Sequence, residues 1–194
     1  EMLGIELPEI AEQTRDSLGK YYRVDPQERF DTPEKFNKFL DTFKPVIAHM
    51  QTREGIREAA QAHVRDLARQ KHVYAETRFA PQYHRNSGLS LQDVISEVLI
   101  GLKAGVLETG TLVNLIISIG RECDNETSTA VARAAVELKD FGVVGLDLAC
   151  SEEEHPPEKH TDAYRIAKAG NLLRTVHAGE FPKERHTRVK NMLT

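Results

Sequence analysis

The chain has 194 residues, 40% hydrophobic and 29% charged, with a formal net charge of −4. That is the composition of a globular domain with a sizeable core. It has no basic run to make a nucleic-acid surface, and no stretch approaches the ~18–20 apolar residues of a membrane span. Two cysteines, Cys123 and Cys150, are too few for a disulfide scaffold, and the opening EMLGIELPEI lacks the basic-then-apolar layout of a secretory signal, so a cytoplasmic setting is expected.

Residues 1–50 contain no strand pattern. DTPEKFNKFLDTF (residues 31–43) predicts a helix, with Asp31 or Thr32 as its cap, Pro33 in its first turn, and Phe36, Phe39, Leu40 and Phe43 as its stripe. A second helix is predicted over residues 53–70, where Ile56, Ala60, His63, Val64 and Leu67 share a face, and His63 is expected to be a core histidine. HVYAETRFAP then switches to a period of two and stops at Pro81, which predicts a strand over residues 73–79. On it Glu76 and Arg78 share a side and are expected to form a structural ion pair, with a substrate role as the alternative; His84, just beyond, reads as a solvated loop residue.

From there strands and helices alternate. A helix opens at Ser90 with Leu91, Val94, Ile95, Val98, Leu99 and Leu102 inward, and TLVNLIISI (residues 111–119) is a continuous apolar strand. Cys123 follows it in a loop. A helix over 127–140 closes at Gly142, a short strand covers 143–148, a helix covers 161–169, and RTVH reads as the last strand. SEEEHPPEK (residues 151–159) is a polar loop whose Glu152–Glu154 run is solvated or covers the mouth of a pocket; its His155 and the nearby His160 are not expected to ligate a metal. The chain is expected to be one domain over 1–194, with a helical region over 1–70 and βα units over 71–194.

Strands buried on both faces and separated by helices predict an α/β fold with a parallel sheet. No Gly-rich phosphate turn follows any strand, which counts against a nucleotide-binding open sheet. Polar strand ends at Glu76–Arg78, Asp147 and His177 favour a (β/α)8 TIM barrel, whose chemistry sits at the C-terminal face. At ~30 residues per βα unit, residues 73–194 hold about four strands, so the chain is expected to be part of a barrel.

RTVHAGE (residues 174–180) carries the sharpest chemical signal. A strand-tip imidazole at His177 can present a nitrogen to a divalent metal, usually zinc, and a turn on Gly179 would bring the Glu180 carboxyl back over it. The chemistry so implied is water attack on an electrophilic carbon, with Glu180 protonating the acceptor. The alternative is a histidine that hydrogen-bonds a backbone carbonyl beside a solvated glutamate. Asp147, at the tip of its own strand, orients a neighbouring group or lines the pocket.

RTVHAGE, preceded by VVGLDLA (residues 143–149), resembles the metal-site segments of adenosine deaminases and their relatives among the metal-dependent amidohydrolases. VYAETRFAP (residues 73–81) and LGIELPE (residues 3–9) resemble earlier segments of that family. The resemblance implies a (β/α)8 barrel that binds one zinc and hydrolyses the 6-amino group of adenosine or deoxyadenosine, a purine nucleoside, to give inosine or deoxyinosine and ammonia. On that mapping His177 is a zinc ligand and Glu180 the proton donor to the purine. Cys150 stands where the family usually has a glycine whose backbone N–H contacts the base. The family's His-x-His pair is absent here, and its later His and Asp pair would lie beyond Thr194. The chain alone is therefore expected to be inactive and to be a piece of a longer enzyme. The alternatives are a related aminopurine or N6-modified nucleotide deaminase, and an inactive truncated relative that acts by binding.

Overall fold

In the computed structural model, residues 32–152 and 155–179 are described. The expected segment at residues 3–9, the candidate cap Asp31, and Glu153, Glu154 and Glu180 lie outside the described residues.

Helix α1 (Pro33–Asp41) starts where Thr32 Oγ1 accepts from the Lys35 amide, so Thr32 is its cap. The next helix, α2 (Lys44–His49), is not anticipated by the sequence. Pro45 falls in the first turn, where a missing N–H is harmless. Helix α3 (Arg53–Arg69) is capped by Thr52 and buries Ile56, Ala60 and Val64. His63 is not in that core. It is exposed, on the flank of the buried stripe, with Nε2 2.7 Å from Thr77 Oγ1.

Strand β1 (Tyr74–Phe79) leads through a 3-10 turn at Pro81–Tyr83 to α4 (Leu91–Thr109), which opens with a reciprocal Ser90–Asp93 capping box. Helix α4 lies directly on α3 because Gly105 carries no side chain; a Cβ there would come within 2.5 Å of Val64 Cβ. The buried Glu97 carboxylate ties the pair together, accepting from Arg57 Nη2 at 2.6 Å and Arg53 Nη1 at 3.1 Å. Then follow β2 (Leu112–Gly120), α5 (Asn125–Glu137), β3 (Val143–Ala149), α6 (Thr161–Ala169) and β4 (Leu173–Arg174). Helix α5 begins two residues before the expected Thr127, because Asp124 caps it by accepting from the Thr127 amide.

The four strands form one parallel sheet in the order β1-β2-β3-β4, as the alternation predicts. Leu115, Ile117 and Ile119 of β2 and Leu146 and Leu148 of β3 pack against the helices in a single core. The opposite face carries Glu76 and Arg78 of β1, Asn114 and Ser118 of β2 and Asp147 of β3, with Ser118 and Asp147 in register. Hydrogen bonds from Thr175 N to Leu146 O (2.9 Å) and His177 N to Leu148 O (2.8 Å) carry the β3–β4 ladder beyond the formal end of β4. They fix His177 to the end of β3.

Candidate active site

Asp147 has no exposed surface, although it sits on the face of the sheet away from the helices. Its Oδ2 accepts from Ser118 Oγ at 3.0 Å, lies 2.9 Å from His177 Nδ1, and is 3.7 Å from Arg78 Nε. Its Oδ1 has no hydrogen-bond partner among the described residues. A buried carboxylate oxygen without a donor is costly, so its retention marks a place where structure is held for a purpose other than stability. The expected Glu76–Arg78 pair does not form: Glu76 Oε1 accepts from Tyr74 Oη at 2.7 Å, and Arg78 turns to Asp147. On the same face of the sheet, an open hollow of about 430 Å³ is lined by Glu76, Arg78, Ile116, Gly145, Leu173 and Thr175, with Asp147 outside its lining.

His177 is brought to this point by the strand ladder, with its side chain about one-third exposed. Nδ1 is within ion-pair distance of the buried carboxylate but outside hydrogen-bond geometry. A carboxylate on that side of an imidazole is the arrangement that orients a ring whose other nitrogen, Nε2, ligates a metal. Among the described residues no group of three His, Cys, Asp or Glu side chains is placed to hold a metal ion. Asp147 and His177 thus fit a zinc centre as a part of its surroundings rather than as a complete ligand set. Gly179 adopts φ +78°, the turn anticipated after His177.

Cys150 directly follows β3 and adopts φ +76°, in the left-handed region that glycine enters freely and cysteine does not. The backbone therefore retains the conformation a glycine would suit. The thiol lies 3.5 Å from Tyr83 Oη, which donates to Glu122 Oε1. Burial, reinforced by the neighbouring Cys150 and Glu122, pushes the Tyr83 hydroxyl pKa far above the ordinary tyrosine value, so it stays a neutral donor. Cys123, three residues after β2, is half-buried, with its thiol pKa pushed up to about 11, chiefly by burial.

Of two buried histidines, His84 departs from expectation. His84 is buried rather than solvated, with Nδ1 2.8 Å from Met50 O and its ring stacked on Phe79 at 4.6 Å. His160, expected to stand outside the metal chemistry, is wholly buried, and both its ring nitrogens are occupied: Nδ1 at 2.7 Å from Ser128 Oγ and Nε2 at 3.1 Å from Arg121 O. Burial lowers both pKa values, which favours the neutral rings.

Sequence reasoning passed over Ser118, Arg121, Tyr83 and Glu122. Ser118 had a usable signal, as the one hydroxyl inside the apolar run LIISIG. Arg121, one residue past β2, is fully buried at the C-terminal face. Tyr83 and Glu122 have no local signature, since only the fold brings their loops together.

The family model described as adenosine deaminase matches residues 4–189. The adenosine deaminase of Mycobacterium leprae (strain TN) is 36% identical over 146 residues, 74% of this chain and 40% of that protein. The chain thus spans about two-fifths of the length of this relative. Among solved structures, an amidohydrolase from Burkholderia ambifaria with bound Zn superposes with a TM-score of 0.69 at 24% identity, covering 86% of this chain and 44% of that one. Arabidopsis ADAL complexed with IMP gives 0.72 at 23% identity, covering 92% and 52%. These likenesses establish the fold, a (β/α)8 TIM barrel of which the four parallel strands form part. By sequence, the chain belongs to the adenosine deaminase family.

Proposed function

We propose that this chain carries part of the active site of a zinc-dependent hydrolase that converts adenosine or deoxyadenosine, with water, to inosine or deoxyinosine and ammonia. The observation that carries this reading is the buried Asp147 carboxylate with His177 Nδ1 2.9 Å away, at the strand ends of a member of the adenosine deaminase family. His177 is the zinc ligand contributed by this chain, through Nε2, and Asp147 holds the ring from behind. The chemistry zinc supplies when bound is a water nucleophile at neutral pH. Glu180, three residues after His177 and beyond the turn at Gly179, protonates the purine ring nitrogen beside the reacting carbon as the amino group leaves. The Cys150 main-chain N–H meets the base, while Asp147, which has no exposed surface, stands behind His177.

Cys150 also favours a second reading. A Cβ and a sulfur at a position suited to glycine reshape the part of the pocket nearest the base, so a related aminopurine or an N6-modified nucleotide is the alternative substrate. The test is to purify the protein expressed from its own gene, measure its zinc by inductively coupled plasma analysis, and follow ultraviolet absorbance with each substrate. Deamination of adenosine or deoxyadenosine is the expected result. Turnover confined to adenine or N6-modified nucleotides selects the second reading, and a zinc-loaded protein that binds adenosine but turns over none of these points to the inactive, binding relative.

A further inference from the structure

Arg121 is fully buried, yet its two terminal nitrogens donate to main-chain carbonyls on separate segments: Nη2 to His177 O at 2.8 Å and Nη1 to His155 O at 3.1 Å. Its own amide donates to Ala149 O at 2.9 Å, and its carbonyl accepts from His160 Nε2. One residue thus joins the ends of β2 and β3, the tail of β4 and the polar loop after β3. Burying a guanidinium carries a desolvation cost of several kcal/mol, offset only by good hydrogen-bond geometry. The planar fork of arginine can serve two acceptors at once, which the single ammonium of lysine cannot do in the same way.

We propose that Arg121 is a positioning residue that locks the main chain of His177 to the polar loop at His155, so that the placement of the His177 imidazole beside Asp147 depends on the seating of that loop. Its two terminal nitrogens reach main-chain carbonyls, so it acts on His177 through the His177 carbonyl. The inference goes beyond the proposed reaction and holds whatever substrate the site takes. It concerns how two segments are held, and its test does not read turnover.

The experiment is residue-resolved acylation of histidines by diethyl pyrocarbonate on the full chain, read by mass spectrometry of tryptic peptides. His177, His155 and His84 fall in separate peptides, since Arg78, Arg85, Lys159, Arg174 and Lys183 lie between or beside them. His84 is buried and held by Met50 O, so it reports whether the fold is intact. In Arg121→Lys and Arg121→Leu, labelling of both His177 and His155 is expected to rise on the order of tenfold while His84 stays protected. Parent-like labelling of His177 in a variant with His84 protected would overturn the proposal. So would full restoration by lysine, because charge and bulk alone would then suffice. Should both variants fail to fold, with His84 labelled as well, the parent protein decides by nuclear magnetic resonance. Arg121 Nη protons in slow exchange support the lock, and exchange as fast as an exposed arginine's refutes it.

Discussion

On β2, Leu115, Ile117 and Ile119 face the helices with no exposed surface, while Ser118, between two of them, faces the other way and donates to Asp147. On β3, Leu146 and Leu148 join the core while Asp147 lies on the side with Ser118. The same backbone supports both sets, because successive side chains of a strand point to opposite faces. The helix-facing set is apolar and mutually satisfied. The other set is polar, holds a carboxylate oxygen without a donor, and gathers side chains from three strands around His177. Stability and chemistry are thus separated by single steps along the chain, and each can be perturbed while the other is read as a control.

The largest effect is expected at Glu180. In the zinc-loaded protein, Glu180→Gln should keep the metal and lose activity by about 10³-fold or more, since it removes the proposed proton donor and leaves the proposed zinc ligand His177 alone. Metal analysis beside absorbance kinetics checks this, and undiminished turnover would remove Glu180 from the reaction. On the helix face, Ile117→Ala should lower unfolding stability by about 2–5 kcal/mol through lost burial and a residual cavity. On the opposite face, Ser118→Ala removes only one hydroxyl but leaves the buried Asp147 with one donor fewer, and should cost about 1–3 kcal/mol. Urea denaturation of the two variants measures the contrast. A Ser118→Ala cost equal to that of Ile117→Ala would mean that the polar face carries as much of the stability as the core.

Much of the helix-facing half was legible in the sequence, because burial against helices leaves a periodic record. The stripe of α3, the Ser90 start of α4, the apolar run of β2 and all of α6 fall where periodicity and capping residues predict them. The polar half was legible only where a strand end exposed a chemical residue, as at Asp147 and His177. Arg121, Tyr83 and Glu122 acquire their roles from contacts between segments 39 to 67 residues apart, which no local pattern encodes. His84 was misplaced for the same reason: its loop position suggested solvent, but α2 and the turn after it supply the Met50 carbonyl that receives its ring nitrogen.

The burial of His84 sets a pH dependence that belongs to the scaffold rather than to the site. Its pKa is held below the ordinary histidine value, chiefly by burial. As pH falls, the unfolded chain therefore takes up the proton first, near pH ~6.5, and stability falls through the window between that value and the lowered native one. His160 adds in the same direction. Asp93, held near 2 by Ser90 and Arg53, contributes its own loss only at lower pH, below its unfolded value of ~3.9. Urea midpoints between pH 7 and pH 5 should fall in the parent and fall less steeply in His84→Gln. Equal slopes would remove His84 as a source of the dependence.

The smallest expected effect falls where the two halves meet, at the end of β3. Cys150 occupies φ +76°, a conformation that disfavours a side chain by roughly 1–2 kcal/mol, and among the described residues its sulfur makes a long contact to Tyr83 Oη. A sulfur contact of 3.5 Å is weak, so Cys150→Gly should relieve more strain than it forfeits and raise stability by about 1 kcal/mol. Thermal unfolding reads that gain, and an unchanged or lower midpoint would show that the Tyr83–Cys150 contact outweighs the strain. A stabilised variant whose preference moves toward unmodified adenosine would mean that the thiol is kept for what it excludes from the pocket. A stabilised variant with unchanged preference would leave the cysteine as tolerated strain, with the substrate set by the polar face of the sheet.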